Sequence, residues 1–147
     1  MTGIVVAVID TEFVTVQPDV AVSTLAHEYQ HMIHFNEKWV EHGVSSPTWF
    51  EEMLSMLSED LLQDHLGLSD DGSPKSRSAS FNATYWGSGV VDWLESDVLA
   101  SYASAYIFGA FLARNYAGAE LVQSIMANEY TGRQSITTAL ADLLNLS

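Results

Sequence analysis

Five consecutive residues constrain this chain more than any others: His27-Glu28-Tyr29-Gln30-His31. They fall where Val22, Leu25, Ala26, Tyr29 and Ile33 recur at three- and four-residue spacing, which predicts a helix over 20–38. Positions four apart lie on one helical face, so both imidazoles can point at one ion. A carboxylate beside the first imidazole can accept a proton from a water on that ion. Average composition makes a chance match in a chain this long rare, on the order of one in a few hundred. The fold must therefore bring a further ligand to this face, because a catalytic zinc takes three protein ligands and keeps one place for water.

His34, Glu37, His42, Glu51, Glu52, Glu59 and His65 are candidates for that ligand. His34 follows His27 by seven residues, about 10.5 Å along a helix axis, too far to share an ion. It reads better as a packed or surface histidine. Glu37 and His34 stand where the longer H-E-x-x-H-x-x-G-x-x-H pattern needs His and Gly, so that pattern fails. His42 is kept by its loop position alone, and His65 lies near the far end of the next helix.

That next helix is predicted over 48–66, with Phe50, Met53, Leu54, Leu57 and Leu61 as its apolar stripe. Two start signals compete: Pro47 at the first helical position, or a capping box of Thr48 and Glu51. Residues 3–16 are rich in Val and Ile and read as one or two strands, with Pro18-Asp19 as the turn into the first helix. Residues 39–46 read as a connection, 67–89 as an exposed loop and 90–96 as a short helix. Residues 100–116 read as a buried helix with small residues for close packing, and 118–129 and 135–146 as helices, with Ser135 the N-cap of the last.

The whole is expected to be α+β and mostly helical: one domain over 1–147, a short N-terminal β segment, then a helical bundle. Acidic residues number 19 against 5 basic, a formal charge of −14, which argues against binding nucleic acid phosphates or an anionic membrane face. There is no cysteine, so disulfides, thiolate zinc sites and thiol catalysis are all excluded. The run Tyr106–Ala113 falls well short of the roughly 20 apolar residues a membrane span needs. No basic residue precedes Lys38, so no signal peptide is expected within the chain. Its abrupt apolar start is read as that of a fragment of a longer protein.

Glu52 follows His31 after twenty intervening residues, inside Trp49-Phe50-Glu51-Glu52-Met53-Leu54-Ser55. This arrangement resembles the gluzincin metallopeptidases, whose W-[LF]-N-E-G-[LF]-[AS] signature supplies the third zinc ligand from a following helix. The resemblance makes Glu52 the ligand and puts Glu59 where several members carry an acid that orients a ligand histidine. Glu51 stands where the family has Asn, and Met53 where it has Gly. Glu51 is either a capping-box acid or added negative charge at the metal. The segment from Ser101 is similar to the family helix that supplies an active-site tyrosine. With Phe111-Leu112 and Gly118 in register, that similarity selects Tyr102, and Tyr106 one turn on is the fallback. A phenol near its reference pKa of about 10 stays protonated at neutral pH and can donate to an oxyanion.

From Ser23 to about Leu140 the chain resembles the hyicolysin-type bacterial metallopeptidases. The resemblance implies a zincin, thermolysin-like catalytic domain holding one zinc on His27, His31 and Glu52. It further implies Glu28 as general base, Tyr102 as oxyanion donor, a peptide or protein substrate, and secretion or a cell-envelope location. The Gly-x-Met-Glu-Asn motif of aminopeptidases is absent, which favours an endopeptidase. Two other readings stand beside it: a binding domain on a degenerate gluzincin scaffold, and a zinc hydrolase of non-peptide amides or esters. Oligomeric state is not readable from the sequence.

Overall fold

The structure is a computed structural model and describes residues 10–70, 73–84 and 89–145. It is mostly helical, and no strand occurs among the described residues. Asp10 begins it: its carboxylate accepts the Glu12 amide at 2.7 Å and caps α1 (Thr11–Val16). The strand expected over 11–16 is thus a short helix. Its β-branched residues bury nothing, so no sheet face exists for them to fill, and the cap decides the local structure. The rest of that expected segment, up to Ile9, lies outside the described residues.

Pro18 opens α2 (Pro18–His34) at its first helical position, as its fixed φ favours. The helix does not run on to 38 in α form. It widens into a π-helical segment, Phe35–Glu41, which ends at Gly43 with φ +68 and a bond from Val44 N–H to Lys38 O at 2.9 Å. α3 (Thr48–Leu66) has the expected span, but neither expected start occurs. Pro47 sits at the N-cap itself, one position early, and no capping box forms. Gly67, with φ +66, closes α3 in the left-handed conformation, and Leu68 N–H reaches back to Gln63 O at 3.0 Å.

The expected loop 67–89 contains a 3₁₀ turn, Pro74–Ser76, and α4 (Arg77–Thr84), which packs on α5 (Val98–Asn115). α4 is too poor in apolar residues to show a stripe. The helix expected over 90–96 is a pair of turns instead. Leu94 N–H donates to Ser101 Oγ at 2.9 Å, and Asp97 Oδ1 accepts Ala100 N–H at 3.2 Å, so the helix starts only at Val98. α6 (Ala119–Ala127) and α7 (Gly132–Leu144) complete the chain. Ser135 is not an N-cap: α7 starts three residues earlier, behind Thr131, and the buried Ser135 hydroxyl donates to Ile125 O at 2.9 Å.

α3 is the central helix, packed between α2 and α5. Phe50, Met53, Leu54 and Leu57 meet Ala105, Tyr106 and Ala110 in the core, which α6 and α7 extend with Leu121, Ile125, Ile136 and Ala139. Gly109 lets α5 approach α3: a Cβ there would lie 2.6 Å from Met53 Cγ and 3.1 Å from Leu57 Cδ1. Lys38 ties the π-helical segment to the far end of α6. Its buried ammonium donates to Ile125 O at 2.7 Å and to Asn128 O, carbonyls that the end of a helix leaves without partners. Burial lowers its pKa to about 8. No described helix is long and apolar enough to cross a membrane.

Candidate metal centre

α2 and α3 cross so that the motif face of one meets the acidic stripe of the other. His27 Nε2 lies 3.1 Å from His31 Nε2 and 3.2 Å from Glu52 Oε2, and His31 Nε2 lies 3.6 Å from Glu52 Oε1. These three residues can each offer one ligand atom with all three atoms within 4.8 Å of one another. Among the described residues they are the group of histidines and carboxylates close enough to share an ion.

The far side of the His27 ring is fixed by Glu59. His27 Nδ1 donates to Glu59 Oε1 at 2.7 Å, because an ionised carboxylate can only accept. That bond turns Nε2 towards Glu52 and His31, as a carboxylate behind a ligand histidine does in metal sites. Glu59 is itself held, since Ser23 Oγ donates to its other oxygen at 2.7 Å. Ser23 lies one turn before His27 on α2 and is 8% exposed. Reading the motif alone did not single it out; its four-residue spacing from His27 was the available signal.

The electrostatics follow from this geometry. Burial disfavours a charged His27, but Glu52 and Glu59 outweigh it and raise its pKa from 6.5 to about 9. Burial likewise opposes charge on Glu52, and the two histidines overcome that and lower its pKa to about 2. One buried Glu52 oxygen, Oε2, still has no hydrogen bond of acceptable geometry. Two imidazole nitrogens and a carboxylate whose buried oxygen is not satisfied converge on one point, a donor set that suits zinc.

Glu28 is exposed beside His27. Tyr102, half-buried on α5, faces the same space: burial, and then the nearby Glu52 and Glu28 carboxylates, raise its pKa, so its hydroxyl keeps its proton. Trp93 packs edge-on against its ring with centroids 5.1 Å apart, and the Arg77 guanidinium lies 5.0 Å from the ring centroid. Arg77 belongs to the segment expected to be loop, so its place over Tyr102 was not foreseen. Tyr106, the fallback, is 1% exposed in the core, where its hydroxyl meets Arg114 and Asp60 instead of the metal group.

The other ligand candidates lie elsewhere. His34 is 4% exposed and bonded to Ser46 Oγ at 2.6 Å, the packed histidine of the sequence reading. Glu51 turns to it, 3.9 Å from its Nε2, and burial raises the Glu51 pKa. His42 and His65 are exposed, and Glu37, partly buried, sits in the π-helical segment.

No family model matches the chain. A neutral metalloprotease, ShpI, of Staphylococcus hyicus is 35% identical over 97 residues, covering 62% of this chain and 20% of that protein. The chain thus spans about a fifth of that relative's length. The likeness joins part of this chain to a metalloprotease and is compatible with a metal on the histidine–glutamate group.

Proposed function

We propose that this chain is a zincin-type catalytic domain of a zinc-dependent metallopeptidase, an endopeptidase acting on peptide or protein substrates. The observation that carries the reading is the convergence of His27 Nε2, His31 Nε2 and the Glu52 carboxylate, with Glu28 next to the first histidine. The partial likeness to a metalloprotease supports it. One zinc per chain would be held by His27, His31 and Glu52. Bound there, it would supply Lewis acidity, making a water acidic near pH 7 and polarising a carbonyl.

The chain's own residues do the rest. Glu28 accepts the water's proton as the C–O bond forms, then delivers it to the leaving amine as the C–N bond breaks. Tyr102, protonated, donates its hydroxyl hydrogen to the carbonyl oxygen as charge develops there. Glu59 keeps the His27 ring aligned, and Ser23 keeps Glu59 in place. Secretion or a cell-envelope location belongs to the same reading, on the family resemblance.

The test is Glu28→Gln, assayed for zinc content and for hydrolysis of a fluorogenic peptide pool. The variant should retain about one zinc per chain and lose about 10²–10⁴-fold in kcat. Undiminished hydrolysis by the zinc-loaded variant contradicts the role of Glu28. A zinc-loaded wild type that turns over no peptide would favour a binding domain on a degenerate scaffold.

A further inference from the structure

A cavity of about 460 Å³ lies among the start of α3, α5, α7 and the turns that precede α5, with no residue in common with the metal group. Trp49 and Phe108 line it with ring centroids 6.4 Å apart, and Val90, Val91 and Ile136 add aliphatic surface. Trp49 and Ile136 are buried, while Phe108, Val90 and Val91 are half-buried, so the apolar wall is left partly uncovered. A space of this size suits a small molecule, and such walls would take a ring or a branched chain out of water.

The charged group of the lining is Arg133. Arg133, Ile136 and Thr137 are three and four residues apart and share one face of α7. The chain has 5 basic residues against 19 acidic, and the other four are committed. Lys38 donates to the Ile125 and Asn128 carbonyls, Lys75 and Arg114 pair with Asp60, and Arg77 lies over the Tyr102 ring. Among the described residues the Arg133 side chain has no ion pair, hydrogen bond or ring contact. Arg133 is also the second residue of α7, whose N-cap, Thr131, makes no side-chain cap bond. The helix dipole is positive at that end, so a cation there does not stabilise the helix, and both charges favour an anion. The Asp92 carboxylate lies beside Gly89 at one edge but is not part of the lining.

We infer that this cavity binds a monocarboxylate with an aromatic or branched apolar body. The body lies against Trp49, Phe108 and Ile136, and the carboxylate pairs with the Arg133 guanidinium, whose fork matches two carboxylate oxygens. A cationic guest is repelled there, and a neutral one leaves Arg133 unpaired. A free acid and the C-terminal residue of a peptide both offer this chemistry. The site is independent of the metallopeptidase reading, because none of its residues takes part in the proposed catalysis.

The experiment titrates the 147-residue chain with 4-phenylbutyrate, 4-phenylbutyramide and 4-phenylbutylammonium, with affinity read by calorimetry. The acid should bind about tenfold tighter than the amide, and the ammonium more weakly than either. Arg133→Gln, at an exposed position, should bring the acid down to the amide, and Arg133→Lys should keep part of the difference. Thr137→Trp, which fills the cavity, should weaken acid and amide alike by at least about tenfold. Equal binding of acid and amide overturns the inference, as does an acid preference that survives Arg133→Gln. An affinity that neither Arg133→Gln nor Thr137→Trp changes places the acid elsewhere, the metal group included, and also overturns it. With those arms as expected, acetyl-Pro-Pro-Phe binding as tightly as 4-phenylbutyrate makes a peptide end the source of the carboxylate, and much weaker binding makes it a free acid.

Discussion

Ser23 shows how much of the candidate metal site lies outside the three side chains that could hold an ion. Its hydroxyl holds Glu59, and Glu59 holds His27, so the ring orientation depends on a residue with no metal-binding chemistry of its own. Ser23→Ala should weaken zinc binding by about tenfold, with Ser23→Thr restoring it, measured by competition with a chelator. Unchanged affinity in a folded alanine variant would remove Ser23 from the account. His34 carries a different kind of prediction. Burial, with the positive charges of Lys38 and His31, lowers its pKa from 6.5 to about 4. The unfolded chain therefore binds more protons between those values. The contribution of His34 to stability is complete above pH 6.5 and is lost as pH falls through 4, on the order of 3 kcal/mol. Urea unfolding across that window should show a shallower acid loss in His34→Gln than in wild type. The motif histidines were legible in the sequence because helical spacing places them on one face, whereas Glu52 and Glu59 were singled out by the family resemblance and not by spacing. Ser23 and Arg77 were not, because their partners come from other helices.

At the scale of elements, α3 and α5 are the pair that brings the metal-facing stripe and Tyr102 together. Their close approach rests on Gly109, where a methyl group would collide with the inner part of Met53 and with Leu57. Gly109→Ala should destabilise the fold by about 1–3 kcal/mol despite its better helix propensity, seen as a drop of several degrees in the thermal midpoint. An unchanged midpoint would mean that the interface relaxes freely. The long helices were legible because their apolar residues recur with helical period, and Pro18 and Gly67 mark ends of α2 and α3. In α1 a single cap outweighs a run of β-branched residues that bury nothing. In α4 the helix is held by packing on α5, and its own sequence has no stripe to reveal it. Around 90–96 and at Ser135, side-chain hydroxyls bond to backbone atoms of other segments, which local patterns do not display.

For the whole molecule, α2 and α3 bring His27, His31 and Glu52 to one point, with Glu59 of α3 behind the His27 ring and Tyr102 of α5 close to Glu52. A chain of −14 formal charge also keeps two of its five basic residues engaged: Lys38, buried, caps α6, and Arg114, at the surface, donates to Asp60 at 2.6 Å. α3 is thus the shared element, with the metal group where it crosses α2 and the apolar core where it meets α5. In the proposed reading this crossing builds a three-ligand zinc site. It is tested most directly by counting bound metal per chain, by mass spectrometry, in wild type and Glu52→Ala prepared side by side. Wild type should carry about one zinc and the variant far less. One zinc in both proteins would contradict Glu52 as the third ligand, and none in wild type after incubation with the ion would contradict the site itself.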